Sequence, residues 1–272
     1  MPELPEVETT IRGLRPVIGS TIINIKINTP KLRFIIPKKI SLLTKVQITD
    51  IIRRGKFIIF LLSNDHTIIL HLGMSGRLRL FRDNQFEQKK HDHFFLRTNQ
   101  DHLIVFNDSR RFGFIDYGKT KDMFEKKYIL KLGREALGKN LNGKYLLSKI
   151  SNTSVPIKQI LLNQQIIAGI GNIYVCEILF NARISPLIHG KKLNLKECEK
   201  IIISTQIILK KAIKHGGSTL RDYVSVDGTL GNFQSNFQVY NQEGKTILGK
   251  KIKKIVQYGR STYYCPGLQK IK

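Results

Sequence analysis

The hydrophobic period changes along this chain, and that change limits it to a mixed first half and a helical second half. Leu4, Val7, Ile11, Leu14 and Ile18 recur at three- and four-residue steps, the spacing of one buried helix face. From Ile23 the period falls to two. Ile23, Ile25 and Ile27 alternate with Asn24, Lys26 and Asn28, as in a half-buried strand. Further strand-like runs at 56–62, 67–72, 93–97, 102–106 and 112–117 are joined by polar connections, which predicts a β-sandwich. Residues 156–167 and 172–182 read as helices around the turn Ala168-Gly169-Ile170-Gly171. Asn194 and Glu197 open a longer helix in the manner of a capping box, and Gly216-Gly217 stop it after His215. After a glycine- and asparagine-rich loop at 225–236, strand character returns at 237–240, 252–257 and 261–264. The expected fold class is α+β. An N-terminal helix and β-sandwich fill 1–117, a linker spans 118–135, a helical domain spans 136–232, and a β-hairpin region closes the chain at 233–272.

At 272 residues the chain can build one large or two modest cores. No run approaches the roughly 18 apolar residues of a membrane span, and the N-terminus lacks the basic-then-apolar plan of a secretion signal. A cytoplasmic protein with no membrane partner is the expectation. Cys176, Cys198 and Cys265 are odd in number and far apart, which suggests neither a disulfide framework nor a metal site. The 46 Lys+Arg against 20 Asp+Glu leave a net charge of +26, a field that attracts polyanions, nucleic acid first among them. Charge alone does not separate a DNA enzyme from an RNA-associated protein.

The first eight residues, Met1-Pro-Glu-Leu-Pro-Glu-Val-Glu8, narrow the choice. Removal of Met1, which a following proline permits, would make Pro2 a secondary amine. An α-amino group titrates at about 7.7–8, so much of it is neutral near pH 7. A neutral amine can attack an electrophilic sugar carbon and form an iminium. Glu3 places a carboxyl beside it. The same residues also make an ordinary helix start, since proline and acidic side chains suit a first turn.

Three loops add to this. Lys56 follows Arg53-Arg54-Gly55 at the entry of a strand, where a solvated basic turn is an equal reading. His71-Leu-Gly-Met-Ser-Gly76 puts Met74 at a glycine-flanked tip, although a lone methionine more often fills a core. Asn107-Asp-Ser-Arg-Arg-Phe-Gly113 carries Arg110 and Phe112. An apolar wedge and an arginine on neighbouring loops are what a protein needs to enter a duplex and replace an extruded nucleotide.

Together with Lys90-His-Asp-His93, Ala168–Tyr174, Gly216–Tyr223 and Gln257–Cys265, these segments resemble the formamidopyrimidine-DNA glycosylases in family order, from residue 1 to about 264. The resemblance implies a helix–two-turn–helix domain in the second half and a bifunctional DNA glycosylase and lyase. Its partner would be double-stranded DNA bearing oxidised purines, 8-oxoguanine and formamidopyrimidines, and no cofactor is expected of this chain. Pro2 would be the nucleophile, Glu3 a general acid, and Lys56 and Arg260 would serve phosphate contact and elimination. His71, His91 and Asn172 would contact DNA, and Met74, Arg110 and Phe112 would fill the duplex. Glu6 and Glu8 would support the opening helix, and Ser218 and Tyr223 would lie near the extruded base. A monomer suits such an enzyme.

Two departures stand out. The resemblance implies a four-cysteine zinc finger, yet Gly244-Lys-Thr-Ile-Leu-Gly249 occupies the first pair's place and only Cys265 survives of the second, with Leu268 at the other position. A metal-free hairpin is therefore expected, packed through Val239, Ile247, Leu248, Ile252, Ile255, Val256, Tyr263 and Leu268. Thr153 stands where the family often has a lysine, with Lys149 and Lys158 nearby. A relative that binds damaged DNA without excising it is the alternative. Retention of Pro2, Glu3, Lys56 and Arg260 argues against it.

Overall fold

The structure, a computed structural model, describes residues 2–82, 86–218, 226, 228 and 230–270. The chain forms two compact units, Met1–Leu130 with His215–Asn232, and Lys131–Lys214 with Phe233–Lys272. The helical domain expected at 136–232 therefore differs in outline, because 215–232 returns to the first unit. There Val226 is buried, its carbonyl accepts the Leu80 N–H at 3.1 Å, and its side chain lies against Gly13. The expected linker is likewise divided. Residues up to 130 stay with the first unit, where Tyr128 stacks on Phe57 and donates to Asp116 at 2.7 Å.

The first unit opens with α1 (Leu4–Leu14), whose buried residues include Leu4, Val7, Ile11 and Leu14, the expected stripe. Eight strands follow: β1 (Thr21–Ile27), β2 (Val46–Arg54), β3 (Phe57–Leu62), β4 (His66–His71), β5 (Arg77–Arg82), β6 (Asp92–Thr98), β7 (His102–Asn107) and β8 (Phe114–Lys119). Two short helices, α2 (Thr120–Glu125) and α3 (Lys127–Leu130), end this part. The strand order is β5-β7-β6-β1-β2-β3-β4-β8. Strands β1 and β2 pair only through Thr21↔Gln47 and Ile22↔Val46, and at this narrow join the sheet divides into two four-stranded layers. One core contains Ile25, Phe94 and Phe106 from one layer and Ile48, Phe60, Ile68 and Ile115 from the other, as a sandwich requires.

In this unit two strands, β2 and β5, were not expected from the sequence. In β2 a register shift between Ile48 and Asp50 breaks the alternation, so the buried Ile48 and Ile51 fall three apart. Strand β5 lies at the sheet edge and carries Arg77, Arg79 and Arg82, the charge that blunts an exposed edge.

The second unit contains β9 (Arg134–Glu135), α4 (Gly143–Ile150), α5 (Ile157–Leu161), β10 (Ile167–Ala168), α6 (Asn172–Asn181) and α7 (Leu195–Lys214). Asn194 and Glu197 exchange hydrogen bonds of 2.9 and 3.0 Å ahead of α7, the expected box. The helix expected at 156–167 stops at Leu161. The Gln164 side chain organises the turn beyond it, donating to Leu162 O and Ile170 O and accepting from Gly169 N, and Ile167–Ala168 then pair with Arg134–Glu135.

Two small hairpins complete this unit, β11 (Thr246–Ile247) with β12 (Lys250–Lys251) and β13 (Lys253–Gln257) with β14 (Arg260–Tyr264). Each turns on two residues of positive φ, Leu248-Gly249 and Tyr258-Gly259, the form that matches strand twist. Residues 237–240 are not a strand. Their N–H groups at 238, 239 and 240 donate to the buried Glu177 carboxylate at 2.9, 3.0 and 2.8 Å, so none remains for a ladder. The expected apolar set also needs correction, since Leu248 and Val256 are exposed while Val239, Ile252 and Tyr263 are buried. Lys158, nearly fully buried, takes a large share in holding β14. Its Nζ donates to Ser261 O at 3.0 Å and Thr262 Oγ1 at 2.7 Å.

Candidate active site and nucleic-acid interface

Pro2 is buried, and Glu3 caps α1. The cap is reciprocal: Glu3 accepts from the Glu6 backbone, and Glu6 Oε2 accepts the Glu3 N–H at 2.9 Å. The other Glu6 oxygen accepts from Ser218 N and Oγ at 2.8 and 3.1 Å, so this carboxylate ties the segment after α7 to the start of the chain. Glu8 pairs with Arg12 at 3.3 Å and with Arg53 at 3.0 Å, and Arg53 also donates to Gly55 O at 3.1 Å. That connection fixes the two-residue turn Gly55-Lys56 between β2 and β3 against α1. Lys56 itself is mostly buried. Both glutamates thus take the supporting place expected of them.

His71 ends β4 among aromatic rings, 4.9 Å from Phe57 and 5.7 Å from Phe114 by ring centroids. Burial, then the Lys56 and Arg33 cations, lower its pKa from 6.5 to about 4. The ring is neutral at pH 7. Its Nδ1 receives the Gly73 N–H at 3.0 Å, so Nε2 carries the proton and His71 offers one donor. Arg33, exposed and close enough to bias this histidine, was not singled out in the sequence.

The Met74 loop is closed by Gly76 N donating to Leu72 O at 2.8 Å, and Met74 stands 38% exposed at its tip. A core role for this methionine is ruled out. Phe112 is 44% exposed, and the exposed Arg110 has its guanidinium 4.9 Å from the Phe112 ring centre. The two loops pack backbone on backbone. A Cβ on Gly73, whose φ is +65°, would lie 2.4 Å from Phe112 C and Gly113 N, so only glycine fits there. His91 adopts a φ of +71° in the adjoining turn, and its carbonyl accepts the Asp108 N–H at 3.1 Å.

In the second unit, Asn172 begins α6 behind Gly171. Its Nδ2 donates to Ser261 O at 3.0 Å, while its buried Oδ1 has no partner. Arg260 is exposed directly after the β13–β14 turn, one residue from the carbonyl that Lys158 and Asn172 share. Lys158 is therefore a hairpin anchor and not a free cation replacing the one absent at Thr153. Lys149 instead lies 5.6 Å from the Tyr145 ring centre. Thus the first unit holds Pro2, Glu3, Lys56, His71, Met74, His91, Arg110 and Phe112, and the second holds Asn172 and Arg260. Tyr223 lies outside the described residues.

Two family models cover most of the chain: the formamidopyrimidine-DNA glycosylase N-terminal domain over residues 1–115 and the formamidopyrimidine-DNA glycosylase H2TH domain over 132–224. The formamidopyrimidine-DNA glycosylase of Zymomonas mobilis is 45% identical over 273 residues, spanning 99% of this chain and all of that one. The chain belongs to the formamidopyrimidine-DNA glycosylase family. It is by that membership a DNA glycosylase, an enzyme of DNA repair. The Bartonella quintana glycosylase is 42% identical over 292 residues, again across 99% of this chain. Among solved structures, the Lactococcus lactis enzyme with abasic-site DNA matches with a TM-score of 0.89 at 34% identity. The same enzyme with DNA containing N7-benzyl-Fapy-dG gives 0.90, and each match covers 99% of this chain and the whole of the other.

Residues 233–272 lie beyond both family models. The zinc that the resemblance implies for this region does not fit the donors present. Cys265 is fully buried, with its N–H given to Gln269 Oε1 at 2.8 Å, and among the described residues no three His, Cys, Asp or Glu side chains gather. Gln269, which also donates to Ile184 O at 2.9 Å, was invisible in the sequence as a structural residue. Among the described residues no helix is long and apolar enough to cross a membrane.

Proposed function

We propose that this enzyme acts as a monomer on double-stranded DNA, excising 8-oxoguanine and formamidopyrimidines and then cleaving the strand. The observation that carries this reading lies within the first unit: Pro2 and Glu3 are buried and fixed, while Met74, Arg110 and Phe112 project from packed loops. With Met1 removed, the Pro2 amine attacks C1′ of the extruded nucleotide. The bond from C1′ to the base breaks, and the base leaves with the electron pair and takes up the proton that the Pro2 nitrogen gives up. Glu3 gives a proton to the sugar ring oxygen, the ring opens, and an iminium joins Pro2 to C1′. The iminium acidifies the neighbouring C–H bonds. Loss of the C2′ proton expels the 3′ phosphate, and a second elimination expels the 5′ phosphate. Lys56 and Arg260 hold those phosphates, and neutral His71 adds a donor through Nε2. The N-terminus of α6 at Asn172 suits another phosphate. His91 supplies a further contact from its turn.

Borohydride trapping on a duplex with 8-oxoguanine opposite cytosine tests the proposal. Protein starting at Pro2 should become covalently joined to DNA and cut the strand on both sides of the lesion. Pro2→Gly should slow both steps while leaving DNA affinity nearly intact. Equal activity from protein verified as blocked at its N-terminus would refute Pro2 as nucleophile. Binding without a covalent product would favour a non-excising relative.

A further inference from the structure

Asp108 takes no part in the chemistry above, yet it is fully buried in the first unit and no cation is paired with its carboxylate among the described contacts. Three donors converge on it instead. The Ser75 hydroxyl donates to Oδ1 at 2.5 Å, and the Arg110 N–H is shared between Oδ1 at 3.3 Å and Ser75 Oγ at 3.1 Å. The Gly113 N–H donates to Oδ2 at 2.8 Å. One carboxylate oxygen thus holds the neighbour of Met74 together with the backbone of Arg110. The other holds the residue after Phe112. The Asp108 backbone extends the arrangement, donating to His91 O at 3.1 Å and accepting from Arg111 N at 3.3 Å. Its carbonyl also meets His93 Nε2 at 2.9 Å, and a carbonyl only accepts, so that nitrogen carries the proton.

We propose that Asp108, acting through Ser75, is the positioning residue that sets Met74, Arg110 and Phe112 in one register for probing the duplex. The proposal rests on the reading that these three side chains enter DNA. A carboxylate suits the place because all three groups facing it are donors, and buried donors left without an acceptor are costly. Asparagine keeps the shape but turns an NH₂ toward one of them. Loss of the Ser75 hydroxyl removes the link between the loops and leaves the carboxylate.

The test compares excision of 8-oxoguanine opposite cytosine with excision opposite adenine, and cleavage of a preformed abasic site in a single-stranded oligonucleotide, where no duplex is probed. Ser75→Ala and Asp108→Asn should each lower the cytosine-over-adenine preference by about five- to twenty-fold, the effect of one buried hydrogen bond. Abasic-site cleavage should stay within about two-fold of wild type, since hydrogen bonds to Asp108 do not reach Pro2. Arg110→Ala and Phe112→Ala serve as controls. If the controls alter the preference and the Ser75 and Asp108 variants do not, the positioning role is refuted while duplex probing stands. If the controls alter nothing, the reading beneath the proposal fails and the proposal with it. Should Asp108→Asn not fold, Ser75→Ala decides. A parallel fall in preference and abasic-site cleavage there would also overturn the proposal.

Discussion

Removing the Glu177 carboxylate should release the chain segment that leads into the hairpins. Glu177 is nearly fully buried on α6, and its two oxygens accept from three consecutive N–H groups, 238 to 240. The Val239 bond is buried, so alanine at 177 leaves that donor stranded at a cost of about 1–3 kcal/mol. The other two bonds are part-buried, and their loss costs about 0.5–1.5 kcal/mol each because water can replace the acceptor in part. Glu177→Ala should therefore cost about 2–6 kcal/mol locally. Glu177→Gln keeps one acceptor oxygen for Val239 and Tyr240 and should cost about 1 kcal/mol. Amide hydrogen exchange of the full chain is the direct assay, because it reads opening of 238–240 apart from global unfolding. Protection at these three amides should fall by more than about ten-fold in the alanine variant and much less in the glutamine variant. Burial also raises the Glu177 pKa above its usual 4.5, so the folded chain holds this proton to higher pH than the unfolded chain. Stability from that group is present below 4.5 and is lost as pH rises through the raised value. Glutamine should abolish that slope. Unchanged protection in Glu177→Ala would refute the argument, since three hydrogen bonds cannot vanish without a trace in exchange.

A chelator should leave excision unchanged and elemental analysis should find substoichiometric zinc, while Arg260→Ala should weaken DNA binding and lower its salt slope by about one. A stoichiometric metal whose removal abolishes activity would overturn the first part. For His71, with its pKa lowered from 6.5 to about 4, the unfolded chain binds more protons across that window. Stability should fall by about 2–3 kcal/mol as pH drops through it, and His71→Gln should flatten the fall. An NMR titration of His71 with a midpoint at or above 6.5 would refute the neutral assignment.

Features written within a few residues were legible in the sequence. The α7 cap is one, because Asn194 and Glu197 are three apart and bond each other. The stripe of α1 is another, and the tip bearing Met74 was marked by flanking glycines, the loop bearing Arg110 by its paired arginines and Phe112. The strand β2 was hidden by its own bulge, which shifts the buried set by one residue and destroys the period on which recognition rests. The short α5 was hidden by a side chain, since Gln164 gives the backbone other partners than a continued helix would.

Buried charge was the least legible part, and the reason is separation along the chain. Among 66 charged residues, Lys158, Glu177 and Asp108 carry no local mark that sets them apart. The partners of Lys158 lie 103 and 104 residues away, and those of Glu177 lie 61 to 63 away. Even Asp108 draws on Ser75, 33 residues earlier. Glu177 and Asp108 satisfy backbone N–H groups that no strand or helix completes, at 238–240 and in the turn that bears Arg110, while Lys158 holds β14 next to Arg260. Regular structure satisfies its own N–H and C=O groups, so its signal is periodic and local. Irregular loops held in one conformation need an outside acceptor or donor, and a buried charge meets several such groups at once. The residues that hold these turns in shape are therefore the ones periodicity cannot find, while residues proposed to touch DNA, such as Lys56, Met74 and Arg260, announce themselves by standing in short motifs beside a glycine.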